Sequence, residues 1–295
     1  MVKIIRLMIP ILLLTIISCE KGIDKIIACG DDQVIIIDAK TSINDNVNIL
    51  WKWNVSDATD LPKAYQKYMI PTDECKPVDN NRKILITSSG GGVVLVDRET
   101  KKSLFYAHVP NAHSAEYLPK DRIAVALSTH SAGNSLELYE LNKPEKVIFR
   151  DSLFSGHGVI WLDKIDALFA LGYNELRKYS LKNWDSEKPE LELMKTWILP
   201  DNGGHDLNSI SESKLLLTTS NGVWVFDIPK EEFTPFDLLN QVGNVKSVNY
   251  IESTGELVYT KGEISWWTHN IYFKNPDKTI TIPDINLYKV RVISK

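Results

Sequence analysis

Three observations in this 295-residue chain predict an all-β fold, a six-bladed β-propeller with four strands per blade. Past residue 23 the chain is a succession of short strand-like runs, such as Val34-Ile35-Ile36-Ile37, Lys83-Ile84-Leu85-Ile86-Thr87 and Val223-Trp224-Val225-Phe226. Each is bounded by Gly, Asn, Asp or Ser, the residues that turns favour. Long amphipathic helical stretches are missing, with Asp57 to Gln66 the one short helical candidate, placed in an insertion. A histidine-centred segment also recurs at roughly forty-residue spacing, the length of one propeller blade.

Composition agrees with a globular chain. Apolar residues make up 43% and charged residues 24%, which excludes wholesale disorder and fibrous classes. Lys plus Arg number 34 against 38 Asp plus Glu, a net charge of −4. No basic block exists to neutralise a run of phosphates, so nucleic acid is not an expected partner.

The first segment reads as an address. Lys3 and Arg6 precede the apolar run from Ile9 to Ile17, which is too short to span a bilayer comfortably, and Ser18-Cys19 follows at once. This order has the form of a lipoprotein signal peptide over residues 1–18, with Cys19 lipid-modified after cleavage and a single domain over 19–295. The expected location is the cell envelope, anchored to a lipid membrane, in the periplasm or at the cell surface. Few residues separate Cys19 from the first strand, which sets the domain close against the membrane. Cys29 and Cys75 remain. They could pair in an oxidising compartment, but Ile26-Ile27-Ala28-Cys29 reads as a buried strand, and two separate small hydrophobes is the preferred reading.

The repeat is carried by three segments. Asn111-Ala112-His113-Ser114-Ala115-Glu116-Tyr117-Leu118, Ser155-Gly156-His157-Gly158-Val159-Ile160-Trp161-Leu162 and Gly203-Gly204-His205-Asp206-Leu207-Asn208-Ser209-Ile210 each hold a small residue, a histidine and an aliphatic residue five positions on. Their histidines lie 44 and 48 residues apart. Weaker copies extend the register: Asp73 lies forty residues before His113, Lys246 forty-one after His205, and Lys289 forty-three after Lys246. The sixth unit has one strand left, Lys289 to Ile293, while N-terminal strands at Lys25–Cys29, Val34–Asp38 and Asn48–Trp53 lack an innermost partner. A composite blade from both termini resolves both and leaves no exposed sheet edge. The closed ring is expected to be a monomer.

Several segments occur here in a fixed order. They are Asp73-Glu74-Cys75-Lys76-Pro77-Val78, Ser88-Ser89-Gly90-Gly91-Gly92-Val93, the three histidine segments, Val245-Lys246-Ser247, Ser265-Trp266-Trp267 and Leu287-Tyr288-Lys289-Val290-Arg291. The series resembles a family of exported six-bladed propeller proteins of Gram-negative, gut-type bacteria. The resemblance covers the mature chain and implies fold and export. That family has no assigned function, so no activity is implied.

Equal register in successive blades means a ring around the axis. The expected ring is Asp73 or Glu74, His113, His157, His205, Lys246 and Lys289, with Lys76, Glu116, Trp161 and Asp206 near the same mouth. Glycines beside it (Gly156, Gly158, Gly203, Gly204) would let backbone approach a ligand. The principal reading is a small-ligand site, with a carbohydrate fragment as ligand. Two catalytic alternatives stand beside it. In one, His113, His157 and His205 bind a divalent metal such as zinc or manganese, leaving an open position for substrate. In the other, a ring histidine acts as general base beside lysines that hold a uronic-acid carboxylate, the layout of a polysaccharide lyase or an unusual glycosidase. A wet channel without ligand chemistry, or a scaffold for partner proteins, completes the set. A deep mouth holding a histidine oriented by a carboxylate would favour the enzyme. A shallow mouth rimmed by aromatics would favour the binder. Trp266-Trp267 is read as a sugar-stacking platform or as core, and His108, His130 and His269 as surface residues outside the register.

Overall fold

A computed structural model describes residues 22–293. They form six four-stranded antiparallel sheets. The composite blade runs Leu287–Val292, Lys25–Gly30, Gln33–Asp38, Ile49–Asn54 from the inside outward. The second blade comprises Thr72–Val78, Lys83–Ser88, Gly92–Asp97 and Ser103–His108, and the third Ala112–Leu118, Arg122–Leu127, Ser135–Glu140 and Phe149–Ser152. The fourth comprises Gly158–Leu162, Ala167–Leu171, Glu175–Lys182 and Glu190–Ile198. The fifth holds Asp206–Ser211, Lys214–Thr218, Val223–Asp227 and Glu232–Pro235, and the sixth Val245–Ile251, Glu256–Lys261, Asn270–Lys274 and Lys278–Thr281.

The second strand of each blade is packed on both faces, which is why it reads as an unbroken apolar run rather than an alternating one. Ile84-Leu85-Ile86 and Leu215-Leu216-Leu217 are buried throughout. Alternate residues of these strands point into different inter-blade cores: Ile84 and Ile86 pack with the composite blade, Leu85 with the third. Six apolar clusters result among the described residues, one at each blade interface. No helix among the described residues is long and apolar enough to cross a membrane.

The ring closes as the strand count requires. Ile26 pairs with Val292, Ile27 with Arg291 and Ala28 with Val290. The segment expected to be helical over Asp57–Gln66 instead gives a 3-10 turn at Val55–Asp57 and a six-residue helix at Lys63–Tyr68. Pro62 sets that helix's start, occupying its N-cap position with an extended ψ of 143°. Cys29 and Cys75 are free, buried and part of the same core cluster, as small hydrophobes. Residues 1–18 and Cys19 lie outside the described residues.

Candidate functional site

The expected ring positions come together at one end of the channel, and a repeated backbone irregularity puts them there. In the second blade Thr72 opposes Ser88 and Glu74 opposes Thr87, so Asp73 is an extra residue. The same slip isolates His113 in the third blade and Lys246 in the sixth. In the fourth and fifth, the N–H groups of His157 and His205 bond to the carbonyls of Leu171 and Thr218, residues already opposite Gly158 and Asp206. In the composite blade Leu287 opposes Gly30 and Val290 opposes Ala28, leaving Tyr288 and Lys289 together against Cys29. Such a bulge bends the strand and re-aims the extra side chain, here into the axial mouth.

The mouth ring is therefore Asp73, His113, His157, His205, Lys246 and Tyr288. One expected member is corrected. Lys289 falls one position deeper, because two residues rather than one oppose Cys29, and Tyr288 takes its place at the cavity wall. The cavity measures about 480 Å³. Its wall includes Asp73, the three histidines and Tyr288, with Ser89, Ser128, Thr129, Ser155 and Ser220 supplying hydroxyls and Trp266, Trp267 and Tyr173 supplying aromatic surface. Trp266 is 58% exposed, whereas Trp267 packs edge-on against Tyr288 at 5.3 Å. The tryptophans sit on the loop between Lys261 and Asn270.

The histidine rings touch in series. His113 and His157 have centroids 4.4 Å apart and His157 and His205 5.3 Å apart, both edge to face. His113 Nδ1 lies 3.2 Å from the Asn111 carbonyl and His157 Nδ1 2.9 Å from that of Ser155. A carbonyl only accepts, so both rings carry the proton on Nδ1. Burial pushes His113 down to about 4. His157 falls well below the usual histidine value through burial, then through the adjoining rings of His113 and His205. His205 drops to about 3 through burial and then the Lys246 ammonium, which donates to its Nε2 at 3.2 Å. All three are neutral at physiological pH.

This arrangement does not supply a metal ligand set from His113, His157 and His205. No group of three His, Cys, Asp or Glu side chains among the described residues is placed to hold a metal ion, and the His205 Nε2 lone pair is already engaged by Lys246. General-base use of these rings meets a second obstacle. Bases whose conjugate acids lie near 3 and 4 accept protons weakly at neutral pH, and they are oriented by backbone carbonyls rather than carboxylates. Asp73 is the opposite case: burial raises its carboxyl to about 7, against the bond it accepts from the Ser89 N–H.

Below the mouth the channel is plugged by ion pairs. Lys289 Nζ lies 3.2 Å from Asp206 and 3.8 Å from Glu74, and Arg291 bonds both carboxylates. Lys76 extends the chain, 3.9 Å from Glu74 and 3.2 Å from Glu116. Glu74, Lys76, Glu116, Asp206 and Lys289, expected to touch a ligand, thus form the floor beneath the cavity wall. Their charges are consumed by one another, which is why they can be buried. Trp161, expected at the mouth, lies four residues along the strand from His157, toward the far end of the channel. It bonds Asp163 there and packs beside the third-blade core. Gly158 is spent on packing rather than ligand access, since a Cβ there would stand 2.5 Å from that of Leu207 in the next blade. Gly203 does line the cavity, at a φ of 73° that suits glycine. His108 and His130 are exposed, as expected; His269 is half-buried against the Ile285 carbonyl.

Sequence reasoning missed Arg291, Tyr288 and the hydroxyl residues of the wall. Arg291 and Tyr288 were legible in principle, three and zero positions from the ring register once the bulge is counted; Ser155 opens the second histidine segment, and the other hydroxyls follow the second strands of their blades.

Sheet order and the axial cavity together define a six-bladed β-propeller with a closed-floored mouth. The chain belongs to the family of unknown function DUF6528, whose profile matches residues 24–294. Among solved structures it is similar to the β-propeller domain of Cps50 (Swd1) from Myceliophteria thermophila, 15% identical over 92% of this chain and 84% of that one, with a TM-score of 0.57. At that identity the likeness concerns the fold. No curated protein matches the chain.

Proposed function

We propose that this protein binds a small carbohydrate fragment in the axial mouth. The observation that carries the reading is the pairing of an aromatic rim with a wall of neutral hydrogen-bonding groups over a sealed floor. Exposed Trp266 offers a flat face of the kind sugar rings stack on, and Tyr173, 40% exposed, offers a second in the same wall. The neutral imidazoles and five hydroxyls both donate and accept, which matches the hydroxyls of a sugar and does not commit the site to one charge. Among the described residues the wall histidines His113 and His157 are oriented by backbone carbonyls rather than carboxylates, which favours a binder over the lyase or glycosidase alternative.

The wider proposal is an exported protein held to the envelope membrane through acylated Cys19. The strand directions support a definite orientation for it. Lys25 begins its strand beside Val292, at the end of the channel opposite the histidines. An anchored propeller would then present the mouth outward, about 20 Å of inner strand away from the membrane side.

A glycan screen followed by calorimetry on the purified protein tests the site. Trp266→Ala is expected to weaken binding about fivefold, from about 1 kcal/mol of lost stacking, with unchanged melting. Binding that survives both Trp266→Ala and His157→Ala at full strength places the ligand elsewhere. Cys19→Ser is expected to move the protein from the membrane fraction to the soluble one; continued retention would refute the anchor.

A further inference from the structure

Every buried cation of the channel has an acid partner except one. Lys289 and Arg291 share Glu74 and Asp206, and Lys76 has Glu116 and Glu74. Lys246, 1% exposed, meets no carboxylate among the described residues. Its ammonium touches the neutral His205 Nε2 at 3.2 Å and lies 4.9 Å from the centroid of the Trp266 ring. A buried ammonium without a counter-charge is costly and is not retained for stability. The same corner holds a second unmatched donor. With Nε2 accepting from Lys246, the neutral His205 carries its proton on Nδ1, and that buried atom has no hydrogen-bond partner.

We infer that Lys246 is the receptor for a singly charged oxyanion, a uronate carboxylate or a sulfate ester, on the sugar bound in the mouth. The inference rests on the proposed carbohydrate site and names its ligand class. One cation balances one negative charge, while a phosphate dianion would leave excess negative charge in a cavity whose wall also includes the Asp73 carboxyl. The position of Lys246 also fits. His205 and Trp266, the residues its ammonium touches, are both cavity wall, so the cation stands directly behind the wall with the exposed Trp266 ring as its cover. Burial and the nearby Lys289 push the ammonium down to about 8, the condition of a cation that gains from an incoming anion.

The test uses the purified full-length protein and matched oligosaccharides: a neutral galactose oligomer, its galacturonate counterpart and its sulfate ester, measured by calorimetry. The expected result is at least tenfold tighter binding of one or both anionic forms than of the neutral one, with the stronger of the two identifying the group. Lys246→Met should erase that preference, and Lys246→Arg should restore part of it. Because the substitution removes an uncompensated charge, Lys246→Met should melt no lower than the wild type. Equal binding of neutral and anionic forms, or a preference that survives in Lys246→Met, overturns the inference and leaves the sugar site standing. If no oligomer binds, and Trp266→Ala changes nothing, the inference falls together with the sugar site.

Discussion

Replacing Arg291 with Met would strand two carboxylates at the centre of the molecule. Glu74 and Asp206 have side chains 1% and 0% exposed, and Arg291 bonds both while Lys289 approaches both at 3.2–3.8 Å. These residues come from three blades: Glu74 from the second, Asp206 from the fifth and Arg291 from the C-terminal strand that closes the ring. After the substitution two ammoniums, Lys289 and Lys76, are left for three carboxylates, Glu74, Asp206 and Glu116. Removing one partner from a buried pair costs about 3–5 kcal/mol, because the other charge remains without compensation. At roughly 2–4 °C per kcal/mol for a chain of this size, melting should fall by about 6–20 °C. The pH dependence carries a sign. Burial alone would raise Glu74, but Lys289, Lys76 and Arg291 together bring it below the usual carboxylate value, and Asp206 is lowered likewise by Arg291 and Lys289 against its own burial. Their contribution is present above the unfolded carboxylate pKa of about 4 and is lost as pH falls through the lower folded values. In Arg291→Met burial gains the upper hand, so the folded state takes up protons more readily than the wild type does. The deficit should be largest at neutral pH and should narrow toward pH about 4. Equilibrium denaturation in urea from pH 4 to 8 measures both. A loss under about 1 kcal/mol, or one that does not change with pH, would refute the account of the plug.

Two further outcomes follow from the ring's construction. Ser114 Oγ accepts the Val159 N–H of the next blade at 3.1 Å, a bond that Asp206 and Ser247 repeat toward Val248 and Val290. Ser114→Ala leaves that buried N–H unpaired and should cost about 1–3 kcal/mol in urea denaturation, while an effect within error would mean the inter-blade bond is dispensable. Truncation after Pro283 removes the closing strand and exposes sheet edges, so the product should aggregate on size exclusion. A monomer with unchanged melting would contradict the composite closure.

Periodicity alone was enough to place the blades and the closing strand. Apolar runs such as Ile84-Leu85-Ile86 mark strands packed on both faces, and the recurrence of His113, His157 and His205 sets the blade length. These are local and additive signals, readable one residue at a time. The convergence of Asp73, the three histidines and Lys246 was legible for the same reason, since equal register must share one height in a ring. What tertiary structure decided is which side of that ring each neighbour occupies. A single bulge moves the sixth mouth position from Lys289 to Tyr288, and no repeat in the sequence marks it. Whether an ionisable side chain meets ligand or counter-ion depends on groups some forty to more than two hundred residues away in sequence: Lys76 finds Glu116, Lys289 and Arg291 find Glu74 and Asp206, and Lys246 meets His205 and the Trp266 ring instead of a carboxylate among the described residues. Electrostatic partnership is a property of distance in space, and the chain's order does not encode that distance until the ring has closed.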